Sequence, residues 1–168
     1  HGHIQFYHIQ ANTTEASKQV KLTASTTETT FSDLEPNTKY KISVMTENQQ
    51  VNGRGGGVGE AVTKEETTLP LIGQRVMDLS FPKTTASSIK VTWAPPAQPH
   101  GHIQFYHIQA NTTEASKQVK LTASTTETTF SDLEPNTKYK ISVMTENQQV
   151  NGRGGGVGEA VTKEETTL

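Results

Sequence analysis

The stretch LEPNTKY occupies Leu133–Tyr139 and occurs a second time, unchanged, at Leu34–Tyr40. Its proline restricts the backbone to a turn. From its tyrosine onward, Tyr139, Ile141 and Val143 alternate with other residues. Such alternation is typical of a β-strand with one buried face. A proline turn that leads a tyrosine into a strand is therefore the feature from which the rest of the chain is interpreted.

The second occurrence belongs to a long internal repeat. His1–Leu69 recurs as His100–Leu168 without a single substitution, so the period is 99 residues. Pro70–Pro99 lies between the two copies and has no second copy. A period of this length exceeds that of the common helical and leucine-rich repeats and is the size of a small domain. We expect a partial domain over residues 1–69 and a complete domain over residues 70–168.

Short segments of alternating hydrophobicity run through the complete period. Turn residues separate them roughly every ten positions, and no segment shows a persuasive helical period. This pattern predicts seven strands in an all-β sandwich or barrel. The predicted strands are Arg75–Phe81, Ser88–Ala94, Ile103–Ala110, Lys117–Ala123, Thr128–Ser131, Tyr139–Thr145 and Gly158–Thr166.

The composition argues against several functions. Apolar residues make up 31% of the 168 residues, which suits a thin β-rich module better than an enzyme with a deep core. The net charge of −2 gives no electrostatic reason to expect nucleic acid or an anionic membrane as partner. No apolar run is long enough for a membrane span. Cysteine is absent, which excludes disulfides and thiol chemistry, and no catalytic constellation, metal site or cofactor motif stands out.

Several of these features together resemble the fibronectin type III module. They are Trp93, Tyr106-x-Ile108, the LEPNTKY stretch and Thr166-Thr167. The resemblance covers Leu71–Leu168 fully and His1–Leu69 as a truncated copy. It implies a seven-stranded immunoglobulin-like β-sandwich in tandem, with a tyrosine corner in which the tyrosine hydroxyl bonds to the backbone a few residues upstream. The residues expected to form the structural core are Trp93, Tyr106, Leu133, Pro135 and Tyr139.

The resemblance also implies an extracellular or cell-surface location and a role in adhesion or as a spacer. Identical modules favour a structural interpretation, because an array of independent domains gives length and multivalency. The main alternative is a ligand-binding segment of a receptor ectodomain, such as that of a receptor-type phosphatase or kinase. A module attached to a catalytic domain elsewhere and an intracellular muscle-type array also remain open. The expected partners are cell-surface or matrix proteins.

Two kinds of exposed site are predicted. Asn12 and Asn111 each begin an N-glycosylation sequon. The glycine-rich loop Glu146–Gly158 and its copy should have a loose backbone, and neither a helix nor a lysine follows to make it a phosphate loop. In the family this loop can display Arg-Gly-Asp, but Gly155 replaces the aspartate, and only deamidation of Asn-Gly could supply a carboxylate. The candidate adhesion residues are Asn52, Gly53, Arg54, Asn151, Gly152 and Arg153.

Three histidines, His100, His102 and His107, invite a metal interpretation. Zinc needs three or four converging ligands, and a regular strand places His107 on the face opposite His102. We therefore expect solvent-exposed histidines at a junction between loop and strand.

The truncated copy lacks the first two strands and the tryptophan, so it should expose an apolar face and a sheet edge. Three explanations are open. The parent protein continues upstream with further modules, or Pro70–Pro99 serves the first copy instead of the second, or another chain supplies the missing strands. Self-association through the incomplete copy is expected if the third explanation holds.

Overall fold

The computed structural model describes residues 2–168, so His1, the first residue of the predicted partial domain, lies outside the described range. The chain divides into two compact units, His1–Thr68 (unit 1) and Leu69–Leu168 (unit 2). Unit 1 contains β1 (Ile4–Asn12), β2 (Ser17–Thr23), β3 (Lys39–Asn48), β4 (Gly57–Val58) and β5 (Val62–Thr67). Unit 2 contains β6 (Met77–Thr84), β7 (Ile89–Ala94), β8 (Ile103–Asn111), β9 (Ser116–Thr122), β10 (Glu127–Phe130), β11 (Lys138–Asn147), β12 (Gly156–Val157) and β13 (Val161–Thr166).

Unit 2 is a sandwich of two antiparallel sheets. One sheet has the order β10–β7–β6, and the other has the order β9–β8–β11, with β12 and β13 both paired to β11. The ring of Trp93 packs edge-on against that of Tyr106 across the sandwich, with centroids 5.4 Å apart. The predicted all-β sandwich is confirmed. The alternating residues of β7, β8 and β11 fill its core: Ile89, Val91, Trp93, Tyr106, Ile108, Ala110, Tyr139, Ile141 and Val143.

The predicted strand count is corrected at the end of the chain. The last strand, predicted as Gly158–Thr166, starts only at Val161 as β13, and a separate two-residue strand, β12, precedes the predicted segment. A gap of the same length separates β4 from β5 in unit 1. Gly156 and its copy Gly57 have φ of 102° and 96°, a region that glycine enters without steric cost. The short strands β4 and β12 therefore each begin at a glycine whose backbone other residues rarely adopt.

The LEPNTKY stretch forms the same corner in both units. The Glu134 amide donates a hydrogen bond to the Tyr139 hydroxyl at 2.9 Å, and the Glu35 amide donates to the Tyr40 hydroxyl at the same distance. Both tyrosine rings are buried. Because donor and acceptor lie within one short stretch, the corner forms even where the second sheet is missing. Pro135 was predicted to be a core residue, but the structure shows that it is exposed. Its contribution to the corner is therefore the restriction of the backbone by its ring.

Among residues 2–68, unit 1 contains only the counterpart of the larger sheet, with the order β2–β1–β3 and with β4 and β5 both paired to β3. Glu28–Phe31 has the same sequence as β10 but forms no strand. In unit 2, β10 pairs with β7 from Glu127↔Thr92 to Phe130↔Ile89. Among residues 2–68 there is no counterpart of β7. Glu28–Phe31 therefore forms no strand, because unit 1, among residues 2–68, has no neighbouring strand with which this segment could form a ladder of backbone hydrogen bonds.

The segment Pro70–Pro99 packs on the second copy. Besides the pairing of β7 with β10, the Leu133 amide donates to the Ser87 carbonyl oxygen at 2.9 Å. The Lys163 ammonium donates to the Leu79 carbonyl oxygen at 2.8 Å. One of the three explanations for the truncated copy was that Pro70–Pro99 packs on the first copy. The structure does not adopt that arrangement.

Candidate protein-binding surfaces

The glycine-rich segment between β11 and β12 contains an ordered turn, which corrects the loose loop predicted above. The amide of Val150 donates to the carbonyl of Arg153 at 2.9 Å, and the amide of Arg153 donates back at 3.0 Å. Asn151 and Gly152 have φ of 52° and 72°. Positive φ at both central positions is typical of the type I′ hairpin turn, which Asn-Gly favours. The glycines therefore specify a particular backbone path.

The candidate adhesion residues lie at the tip of this turn. They are exposed in both units: Asn52, Gly53, Arg54, Asn151, Gly152 and Arg153. In unit 2 the base of the turn is held to the chain that enters the unit, because the Gly155 amide donates to the Pro70 carbonyl oxygen at 2.9 Å. The turn is thus a fixed, exposed projection, and its role in adhesion stays a prediction.

The two sequon asparagines have equivalent surroundings. Asn12 ends β1 and Asn111 ends β8, and both side chains are half-buried. The side-chain oxygen of each accepts a hydrogen bond at 2.6 Å, from Ser17 in unit 1 and from Ser116 in unit 2. Both asparagines stand at the turn into the next strand, and their glycosylation stays a prediction.

The histidines do not converge. His102 is exposed, and His100 lies in the preceding loop with φ of 52°. His107 lies inside β8, half-buried, with its Nε2 2.7 Å from Oε1 of Glu146 on the neighbouring strand. The expectation of a solvent-exposed histidine is therefore wrong for His107, because its ring lies against Glu146 of the neighbouring strand. No three His, Cys, Asp or Glu side chains of residues 2–168 are grouped as metal ligands.

Asn147 is a positioning residue that the sequence analysis missed. It is buried at the end of β11, and its Nδ2 lies 2.7 Å from the Pro99 carbonyl oxygen and 3.0 Å from that of Leu71. It thereby ties two parts of the incoming segment to the larger sheet. The inward alternation of β11 continues through Thr145 to Asn147. Extending the alternation of the predicted strand by two residues would have identified Asn147 as buried.

The same incoming segment makes one glycine of unit 2 sterically critical. A Cβ on Gly158 would lie 1.6 Å from the Gly73 carbonyl oxygen, whereas at the copy, Gly59, the nearest atoms would be 3.9 Å away. We expect Gly158→Ala to lower the free energy of unfolding of unit 2 by about 1–3 kcal/mol, because the segment must move. Gly59→Ala should change the stability of unit 1 by less than about 0.5 kcal/mol.

Urea denaturation measures this difference. Trp93 is the only tryptophan, so its fluorescence follows unit 2, while far-UV circular dichroism follows both units. Equal losses from Gly158→Ala and Gly59→Ala would contradict the packing of Gly73 against Gly158.

Unit 1 presents an apolar surface that its copy buries. This surface, called the open face, lines a groove of about 610 Å³ and includes the side chains of Tyr7, Ile9, Leu22, Phe31, Ile42 and Val44. Val44 is 38% exposed, whereas its copy Val143 is fully buried. In unit 2 Tyr106, the copy of Tyr7, is fully buried, and this burial raises the pKa of its hydroxyl. The open face is an uncovered sandwich core.

Two antiparallel sheets around one indole and a tyrosine corner define an immunoglobulin-like β-sandwich module. The sequence profile of the fibronectin type III domain matches residues 1–60 and 74–158. The chain therefore belongs to the fibronectin type III family.

Several curated proteins are similar to the chain. Tenascin-R of Gallus gallus is 27% identical over 141 residues, which are 82% of this chain and 10% of the relative. Protein sidekick of Drosophila melanogaster is 32% identical over 129 residues, 74% of this chain and 6% of the relative. The collagen alpha-1(XII) chain of Notophthalmus viridescens is 30% identical over 157 residues, 90% of this chain and 15% of the relative.

A solved structure shares the fold across both units. The segment of two fibronectin type III domains from chicken tenascin has a TM-score of 0.52 and 20% identity, and the match covers 99% of this chain and 86% of that one. At this identity the likeness concerns the fold alone.

The relatives also bear on location. Tenascin, sidekick and collagen XII are extracellular or cell-surface proteins, so the predicted extracellular or cell-surface location is confirmed.

The chain spans 15% or less of the length of the three relatives described. Across the described residues, the structure contains no helix long and apolar enough to span a membrane.

Proposed function

We propose that the chain is a non-catalytic segment of an extracellular adhesion or matrix protein, whose tandem units bind other proteins or hold binding sites apart. The observation that carries this proposal is the duplicated display of one exposed type I′ turn, in two units of the fibronectin type III family. Two identical projections on one chain give a partner two equivalent contacts, and avidity then exceeds the affinity of either contact. The partners proposed are cell-surface or matrix proteins.

The domain organisation belongs to the same proposal. We infer that residues 70–168 form a complete fibronectin type III domain and that residues 1–69 form an incomplete one. Supporting this, both sheets are assembled in unit 2, where β6 and β7 come from Pro70–Pro99, and only the larger sheet is present in unit 1.

Cell attachment tests the adhesive function. Cells plated on surfaces coated with the chain should attach several-fold better than on albumin. The double variant Arg54→Ala, Arg153→Ala should lose most of this attachment, because it removes the guanidinium group from both turns. Arg75→Ala is the matched control, since Arg75 is exposed but lies outside the turns.

The outcomes separate the parts of the proposal. Equal attachment of the parent and the double variant would end the role of the turns. Attachment no better than albumin for every protein would end the adhesive function and leave only the spacer role.

A further inference from the structure

Asn111 lies on the outer face of the larger sheet, which is the face turned away from the core, and Asn12 has the same place in unit 1. In β8 the buried residues alternate with those of the outer face, where Asn111 follows His107 and Gln109. Nδ2 of Asn111 donates a hydrogen bond to Oε1 of Gln109 at 3.3 Å, and Nδ2 of Asn12 makes the equivalent bond to Gln10 at the same distance. An N-linked glycan is joined to this nitrogen, so in both units the attachment atom points along the outer face.

A groove of about 470 Å³ lies on the outer face next to Gln109. Gln118 lies opposite Gln109 in the pairing of β8 with β9, so two side-chain amides stand at the end of the groove nearer to Asn111. Such amides both donate and accept hydrogen bonds, and the thioether of Met144 offers an apolar, adaptable contact. A sugar ring has hydroxyl groups on its rim and C–H groups on its faces, so the groove suits a sugar. Its lining includes His107, Gln109, Gln118, Lys120, Met144 and Val157.

We propose that Asn111 carries an N-linked glycan whose first sugar, an N-acetylhexosamine, lies in this groove, and that Asn12 is modified too. The extracellular or cell-surface location supplies the compartment in which such glycans are added. Sugar then covers the outer face around Gln109, so protein partners contact other surfaces of the unit. The inference does not depend on the adhesive role of the Asn-Gly-Arg turns.

The modification is a group transfer from a lipid-linked oligosaccharide diphosphate, catalysed by a transferase of the secretory pathway. The bond between the anomeric carbon of the sugar and the diphosphate oxygen breaks, and the diphosphate leaves with the electron pair. A bond forms between that carbon and Nδ2 of Asn111, and Nδ2 loses one proton to the solvent.

The existing contacts of Asn111 are compatible with this transfer. Its Oδ1 accepts a hydrogen bond from the Ser116 hydroxyl at 2.6 Å and takes no part in the new bond. Its Nδ2 carries two hydrogens, and one remains after the transfer to be donated to Gln109. Because the sugar is tethered beside the groove, its effective concentration there is about millimolar, so weak contacts are enough to hold it in place.

Occupancy of the two asparagines is the first test. The chain is secreted from cultured animal cells behind a cleavable signal peptide, digested with trypsin and analysed by mass spectrometry. Asn12 lies in the tryptic peptide His1–Lys18 and Asn111 in Val91–Lys117, so the two sites are distinguishable despite the repeat. We expect a glycan on both peptides, which a peptide-N-glycosidase removes to leave aspartate. Unmodified asparagine at position 111 of the secreted chain would overturn the proposal.

Two neighbouring threonines provide a matched pair of variants. Thr113→Ala removes the third residue of the sequon at an exposed position and should abolish the glycan on Asn111. Thr112→Ala keeps the sequon as Asn-Ala-Thr, although the Thr112 hydroxyl accepts hydrogen bonds from the amides of Glu114 and Ala115, and should retain the glycan. A glycan that persists on Val91–Lys117 in Thr113→Ala would be attached to another residue, which would overturn the assignment to Asn111.

Methyl NMR of ¹³C-labelled methionine tests the position of the sugar. The chain has three methionines, so its three methyl signals are assigned by single replacements with leucine. Loss of the glycan in Thr113→Ala should shift the signal of Met144 and leave that of Met45 in unit 1 unchanged, and Thr112→Ala should shift neither. A signal of Met144 that is the same with and without the glycan would mean that the sugar projects into solvent, and its placement in the groove would be wrong.

Discussion

Replacing Ile141 with alanine is expected to lower the free energy of unfolding of unit 2 by about 2–5 kcal/mol, the range for truncating a buried isoleucine. Ile141 is fully buried between the two sheets, and removing its side chain leaves a cavity that the surrounding strands fill only partly. The same replacement at Ile42, which lines the groove of unit 1, should cost unit 1 less than about 1 kcal/mol. Water already reaches one side of that residue, so no closed cavity forms.

Ile42 and Ile141 have identical neighbours in sequence, so a difference between the two replacements reflects tertiary packing alone. Trp93 fluorescence reports the unfolding of unit 2, and far-UV circular dichroism reports both units. Met45→Ala and Met144→Ala form the control pair, because both methionines are half-buried on the outer face of their strand. We expect these two to have equal effects. Equal losses from Ile42→Ala and Ile141→Ala would contradict an uncovered core in unit 1.

Trp93→Ala is expected to lower the stability of unit 2 by about 3–5 kcal/mol, as large aromatic truncations do in cores. The indole lies against Tyr106 and joins the small sheet to the large one. Domains are typically stable by only about 5–15 kcal/mol, so this single change removes a large fraction of the stability of unit 2. Circular dichroism in urea is the measurement, because the variant has no tryptophan.

Trp93→Phe is the conservative comparison. Nε1 of Trp93 donates to no protein group among the described residues, so phenylalanine removes no protein hydrogen bond. We expect it to cost less than half of the loss from Trp93→Ala. A loss below about 1 kcal/mol for Trp93→Ala would show that the indole does not close the core, and the sandwich would need another explanation.

Much of the larger sheet could be predicted because its signals are local. Alternation in Ile103–Ala110 and Tyr139–Thr145 predicted β8 and β11 nearly to their ends. The candidate surfaces were less predictable. The segment from Val150 to Arg153 was interpreted as loose, since a count of glycines does not show that successive positive φ angles define a turn. The pairing of His107 with Glu146 joins residues on neighbouring strands. It could not be predicted from the sequence, because it depends on how the two strands align in the sheet.

The sequence by itself determined the tyrosine corner and the strands of the larger sheet. These form in both units, because the corner hydrogen bond and the side-chain alternation lie within short stretches of chain. Tertiary structure alone decided whether Glu28–Phe31 and Glu127–Phe130, which are identical in sequence, become a strand, and whether Val44 and Val143 are exposed or buried. The physical reason is that a ladder and a core require a partner, and β7 is present on one copy of this sequence and absent from the other.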